Sequence, residues 1–276
     1  MKITFIGGGN MAVALIGGLH KQGFSMAGIQ VVDPVEASRE RLTNGFGVRS
    51  TETFDTAALN CEVLVLAVKP QQMKEALAPC AGKLGNQLVI SIAAGLRIDD
   101  MARWLGGHRR LVRTMPNTPA LIGAGITGLF ADPSVDHESR AIAERILSAV
   151  GRTVWIEDEA RMDAVTAVSG SGPAYVFYFI EALEDAACKL GMDPAQARLF
   201  ATETFWGGAK LASESTDTAA ELRAKVTSKR GTTERAIESF DQSGVKQEVI
   251  TGVLAACARA KELGDEMAVN LGGPPP

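Results

Sequence analysis

The sequence predicts an α/β fold in two parts, an N-terminal domain built on a parallel sheet (1–158) and a C-terminal all-α domain (159–276). Three observations carry this expectation. Short apolar runs alternate with helical stretches through the first half, a glycine-rich loop follows the first run, and strand-like runs cease after about residue 159.

The apolar runs are ITFI (3–6), IQVVD (29–33), VLVLAV (63–68), LVISIA (88–93) and RLVRT (110–114), each bounded by Gly, Pro or Asn. Helical stretches such as 11–22 and 71–84 lie between them, and this alternation implies a parallel sheet covered on both faces. TGLF (127–130) and TVWI (153–156) add strands at its end. In the second half, GPAYVFYFIEALEDAACKL (172–190) reads as a helix apolar on too many sides for one domain, so a monomer is not expected. Asp193-Pro194-Ala195-Gln196 starts a helix with an N-cap and a Pro at its first position, and Thr218-Ala219-Ala220-Glu221 is a capping box. A final helix leads into GGPPP, a tail with no apolar face and expected to be mobile.

Composition narrows the function. With 276 residues, 46% of them hydrophobic, the chain can bury the cores of two domains. A formal charge of −4 argues against general nucleic-acid binding and against a polybasic membrane surface. No apolar run approaches the roughly 20 residues that span a bilayer, and MKITFIGGG enters a strand directly rather than reading as a signal peptide. Cys61, Cys80, Cys188 and Cys257 form no CxxC pair, and His20, His108 and His137 are far apart, so no metal site is expected. These features suggest a reduced, cytoplasmic protein.

The first loop carries chemistry. Gly7-x-Gly9-x-x-Ala12 follows a strand and opens a helix. Gly7 allows the tight turn, Gly9 lets the backbone approach a pyrophosphate, and Ala12 lets the helix pack on the sheet. Gly8, Asn10 and Met11 complete the loop, and Asp33 ends the second strand. The expected ligand is NADPH or NADH. Asp33 suits a ribose 2′-hydroxyl and repels a 2′-phosphate unless a cation intervenes, while Arg39 and Arg41 read as a solvated helix face. Ala67, Val68, Lys69 and Pro70 end another strand and should touch the cofactor. Ile92, Ala93 and Ala94 are mostly small and let a flat ring approach the backbone, and Asn117 sits between two prolines on a rigid shelf.

The second motif is KVTSKRGTTERAI (225–237). Thr227, Ser228, Lys229, Arg230, Gly231, Thr232 and Thr233 look equipped to hold an anion. They also suit a plain helix cap, with Thr232 as N-cap and Thr233 as the first helical residue.

FIGGGNMA, AVKPQ, SIAAG, MPNTPAL, DAVTAVSGSGPAYVF and VTSKRGTTERAI occur in the order found in pyrroline-5-carboxylate reductases, and the chain resembles that family over nearly its whole length. The resemblance implies an N-terminal Rossmann-type domain and a C-terminal all-α dimerisation domain that interlaces with its twin, the dimers assembling further into rings, commonly decamers. It implies 1-pyrroline-5-carboxylate, a cyclic imine bearing a carboxylate, as substrate and L-proline as product. The resemblance implies that the backbone around Gly231, Thr232 and Thr233, with Ser228, matches the cradle for the substrate carboxylate, and that Thr233 matches a threonine whose hydroxyl lies near the ring nitrogen or the carboxylate, a catalytic role. Glu159 and the stretch from Val165 and Thr166 to Pro173 match the closure of the substrate pocket, and Lys225 a contact at the nicotinamide end. The site is completed across the dimer. Two residues depart from the pattern: Arg230 stands where members carry Gly or Asn, and Phe54 where many carry an asparagine that helps hold the 2′-phosphate. Together with Asp33, Phe54 puts the usual NADPH preference in doubt.

Two rivals remain at this point. A β-hydroxyacid dehydrogenase would need a lysine acid in a glycine-asparagine context, which neither Lys189 nor Lys210 has. A non-catalytic dinucleotide sensor would have no use for the turn at 228–233.

Overall fold

The computed structural model describes residues 1–270; the GGPPP tail lies outside the described residues. The chain forms two compact units. One comprises Met1–Gly170 and the chain from Ala256; the other is Ser171–Ala255.

The first unit holds β1 (Ile3–Ile6), α1 (Asn10–Lys21), β2 (Ile29–Val32), α2 (Glu36–Phe46), β3 (Arg49–Thr51), β4 (Val63–Leu66), α3 (Met73–Leu77) and β5 (Leu88–Ser91). It continues with α4 (Ile98–Trp104), β6 (Leu111–Met115), β7 (Gly125–Ala131), α5 (His137–Leu147), β8 (Gly151–Trp155) and α6 (Met162–Val165). The strands make one eight-stranded sheet in the order β3-β2-β1-β4-β5-β6-β7-β8. β1, β2, β4 and β5 are buried along their whole length. Val63 and Val65 enter a core with Leu15, Leu19 and Ile146 on one face, while Leu64 and Leu66 join Leu77, Met101 and Trp104 on the other. That two-sided burial is why these strands read as unbroken apolar runs.

The structure differs from the sequence expectation in three places. β7 runs antiparallel to β6, so the sheet is not wholly parallel. The link at 116–124 is too short for a crossover helix and can join only antiparallel neighbours. The helix expected at 71–84 is broken into a 3₁₀ turn at Pro70–Gln72, α3, and a second 3₁₀ turn at Ala78–Cys80. Pro79 removes an N–H and disrupts the α ladder there. β3 is an additional polar strand at the sheet edge, paired with β2.

The second unit begins with α7 (Gly172–Lys189), followed by α8 (Pro194–Glu214), α9 (Ala219–Lys225), α10 (Thr232–Gln242) and the first part of α11 (Val245–Asn270). Asp193 caps α8 by accepting the N–H of Ala195 and Gln196, and Thr218 with Glu221 forms the expected capping box on α9. Within this unit Phe177, Tyr178, Phe200 and Trp206 remain exposed, an apolar surface beyond what a free helical unit needs. No described helix is long and apolar enough to cross a membrane.

Candidate active site

The strand order reverses between β1 and β4, and an open α/β sheet binds ligands at the carboxyl ends of strands flanking that point. There the structure brings Gly7, Gly9, Asp33, Ala67, Val68 and Lys69 to the wall of one cavity of about 470 Å³. Gly7 adopts φ +100°, and a Cβ on it would lie 2.6 Å from the Ala67 carbonyl oxygen, so only glycine lets β1 turn this close to β4. Gly9 is the N-cap of α1, with no side chain closing the helix start. A Cβ on Gly9 would meet no protein atom within 4 Å; that backbone faces open space, as a pyrophosphate requires. The residues present therefore fit a dinucleotide.

Asp33 is buried and fastens the loop. Its Oδ2 accepts the Gly8 N–H at 2.6 Å and its Oδ1 the Val35 N–H at 2.8 Å. Arg39 is half-buried and Arg41 is exposed, as a solvated helix face requires, yet both also reach back to the loop. The Arg39 guanidinium donates to the carbonyls of Asp33 and Pro34, and Arg41 donates to the Gly8 carbonyl at 2.9 Å and to Asn10 Oδ1 at 3.1 Å. Met11 packs against the core from the first turn of α1, and Pro70 opens the 3₁₀ turn after β4. Ile92, Ala93 and Ala94 follow β5, at the next carboxyl ends along the sheet, and lie outside the cavity wall. Asn117 follows β6; its side chain donates to the Ser169 carbonyl and accepts from the Ile126 N–H, tying the proline shelf to β7 and to the segment after α6.

Glu159 has a different setting. Its Oε1 accepts the Ile98 N–H at the start of α4 and pairs with Arg113, which also meets Asp163 at 3.3 Å. Arg113 is only 4% exposed, so the two carboxylates neutralise a buried charge. Sequence reasoning passed over Arg113, although an arginine inside the apolar run RLVRT needs a buried acidic partner. Beyond α6 the backbone makes a π-helical turn at Thr166–Gly170, a geometry frequent at functional sites.

The hydroxyl-rich turn lies in the second unit. The Gly231 N–H donates to the Ser228 carbonyl at 3.0 Å, closing a turn whose third residue is Arg230. Arg230 has φ +61° and is the one non-glycine with positive φ among the described residues. A side chain held in that region carries strain that glycine would avoid. The Glu234 carboxylate accepts the Arg230 N–H and steadies that conformation. Gly231, not Thr232, is the N-cap of α10, which corrects the capping assignment: Thr232 and Thr233 are the first two helical residues. A Cβ on Gly231 would lie 2.9 Å from the Ser228 carbonyl oxygen. No side chain caps this helix start, and the N–H groups of Thr232 and Thr233 have no intrahelical acceptor by construction. Thr233 is half-buried and Ser228 exposed. Lys225 Nζ is held by Asp217 at 2.5 Å.

Comparison with known proteins supplies the remaining evidence. Residues 159–263 match the family model for pyrroline-5-carboxylate reductase dimerisation, and residues 2–95 that for NADP oxidoreductase, coenzyme F420-dependent. The pyrroline-5-carboxylate reductase of Pseudomonas aeruginosa is 44% identical over 269 residues, 96% of this chain and 98% of the relative. That of Escherichia coli is 38% identical, covering 95% of this chain and 98% of the relative. The solved structure of the Coxiella burnetii enzyme superimposes with a TM-score of 0.89 at 40% identity, over 95% of this chain and 98% of that one. The Plasmodium falciparum pyrroline carboxylate reductase, solved with NADP bound, gives 0.85 at 28% identity over 96% and 98%.

Proposed function

The chain belongs to the pyrroline-5-carboxylate reductase family, and from that premise we propose how its residues divide the work. It is an NAD(P)H-dependent oxidoreductase that reduces 1-pyrroline-5-carboxylate to L-proline, the final step of proline biosynthesis. The bound nicotinamide supplies the hydride to the imine carbon.

In our reading, residues 1–158 hold the dinucleotide and 159–276 bind substrate and dimerise. Gly7 to Met11 cradle the pyrophosphate, Asp33 holds the adenosine ribose, and 67–70, 92–94, Asn117 and Lys225 line the path to the nicotinamide. Ser228, Gly231, Thr232 and Thr233 pin the substrate carboxylate with backbone N–H groups, so no dedicated arginine is required. Glu159 keeps the pocket's floor in shape through Arg113. The imine arrives protonated, and the Thr233 hydroxyl donates to the ring nitrogen as charge leaves it, so catalysis is mainly placement. The observation that carries this reading is the helix start of α10, left without a side-chain cap behind a glycine that cannot be replaced without collision. Two chains interlace through their helical domains, each turn completing the partner's site, and dimers assemble into a decamer in the cytoplasm; the exposed aromatic residues of the second unit support such burial.

Thr233→Ala tests the assignment. The expected outcome is a fall in kcat of about 10²-fold or more at an unchanged melting temperature. Unchanged turnover would remove Thr233 from the chemistry.

A further inference from the structure

The wall of the dinucleotide cavity carries an uneven charge, and its consequence rests on reading that cavity as the cofactor site. At the β2 end the wall is formed by Asp33, Ser38, Glu52 and Phe54, with Glu75 also contributing, and its one basic side chain among the described residues is Lys69, at the end of β4. The arginines nearest in sequence to the β2 end are engaged elsewhere. Arg39 is bound to two loop carbonyls, Arg41 to Gly8 and Asn10, and Arg49 to Asp55 at 2.6 Å. None of the three lines the cavity. The Asp33 carboxylate is fixed by two backbone donors and cannot swing aside without releasing the glycine loop.

A ribose 2′-hydroxyl is a donor and finds the Asp33 carboxylate as its acceptor at this end. A 2′-phosphate adds a charge of about −1.5 to −2 and finds carboxylates at the β2 end, the wall's described cation, Lys69, standing at the end of β4. Like charges in a cleft of reduced dielectric disfavour the phosphorylated ligand more than the hydroxyl favours the other, which is selection by repulsion. We infer that the chain selects NADH over NADPH, with Asp33 and Glu52 as the discriminating side chains.

Calorimetric titration of the full-length protein with each dinucleotide reads this without turnover. The expected result is a Kd for NADH lower by about tenfold or more at low salt, the gap closing as salt screens the exposed Glu52. Glu52→Gln should narrow the ratio severalfold and Glu52→Lys should narrow it further, both with little effect on NADH. Arg39→Ala should leave the ratio where it is. Equal or tighter binding of NADPH would overturn the inference, and selective loss of NADPH in Arg39→Ala would show that Arg39 turns to hold the 2′-phosphate. If neither dinucleotide binds, the cavity reading itself falls and takes the inference with it.

Discussion

The starts of α1 and α10 are held in place by opposite means. Each begins at a glycine with no side-chain cap, whereas α5, α8 and α9 are closed by Asp136, Asp193 and Thr218. At α1 the positive φ falls on Gly7, and long-range partners, Asp33 and Arg41, fasten the loop. At α10 the positive φ falls on Arg230, and neighbours in sequence, Ser228 of the turn and Glu234 in the first turn of the helix, hold it. The glycine loop before α1 is thus preorganised by distant parts of the chain, while the turn before α10 is a local device under strain. Preorganisation by distant contacts makes the first site intolerant of change; local construction makes the second tunable one residue at a time.

The largest expected effect is at the fastened loop. Gly7→Ala places a Cβ 2.6 Å from the Ala67 carbonyl at a φ of +100°, and we expect a loss of roughly 2–4 kcal/mol in denaturant unfolding together with dinucleotide binding. Near-normal stability in that variant would break the contrast between the two starts. A smaller effect of opposite sign is expected at the turn. Arg230→Gly relieves positive-φ strain against the greater freedom of glycine when unfolded, for a net gain of about 0.5–1 kcal/mol. The melting temperature should rise by about 2 °C, and a fall would show that Arg230 sits there without strain. The smallest effect belongs to a helix start closed by a side chain. The Ser139 N–H and hydroxyl hold the Asp136 carboxyl below the usual carboxylate range. A lowered folded-state pKa gives stability that is present above the unfolded value of about 3.9 and lost as pH falls through the folded value. Melting curves of wild type and Asp136→Asn should therefore differ at neutral pH and converge in acid.

What the sequence disclosed follows the same division between local and distant causes. The glycine loop, the Asp193 cap and the Thr218 capping box are set by spacing within a few residues, and each is where the pattern put it. β3 escaped notice because an edge strand of Arg-Ser-Thr has no apolar face to advertise it. The reversal of β7 depends on a link length rather than on strand composition. Arg41 and Arg113 were unreadable in role because their partners, Gly8 and Glu159, are brought to them only by the fold. At the second site the residues were visible but the register was off by one, since Gly231 in extended backbone takes the cap and draws both threonines into the helix.

The central claim is that the backbone of residues 231–233 binds the substrate carboxylate, and Gly231→Ala tests it most directly. The added Cβ meets the Ser228 carbonyl at 2.9 Å and displaces the turn without touching the dinucleotide loop. Steady-state kinetics with 1-pyrroline-5-carboxylate as the variable substrate should show KM raised by about tenfold or more, the loss of roughly 1.4 kcal/mol of binding, with the Kd for dinucleotide unchanged. An unchanged KM in the folded variant would contradict the account and leave the turn as a helix start and nothing more.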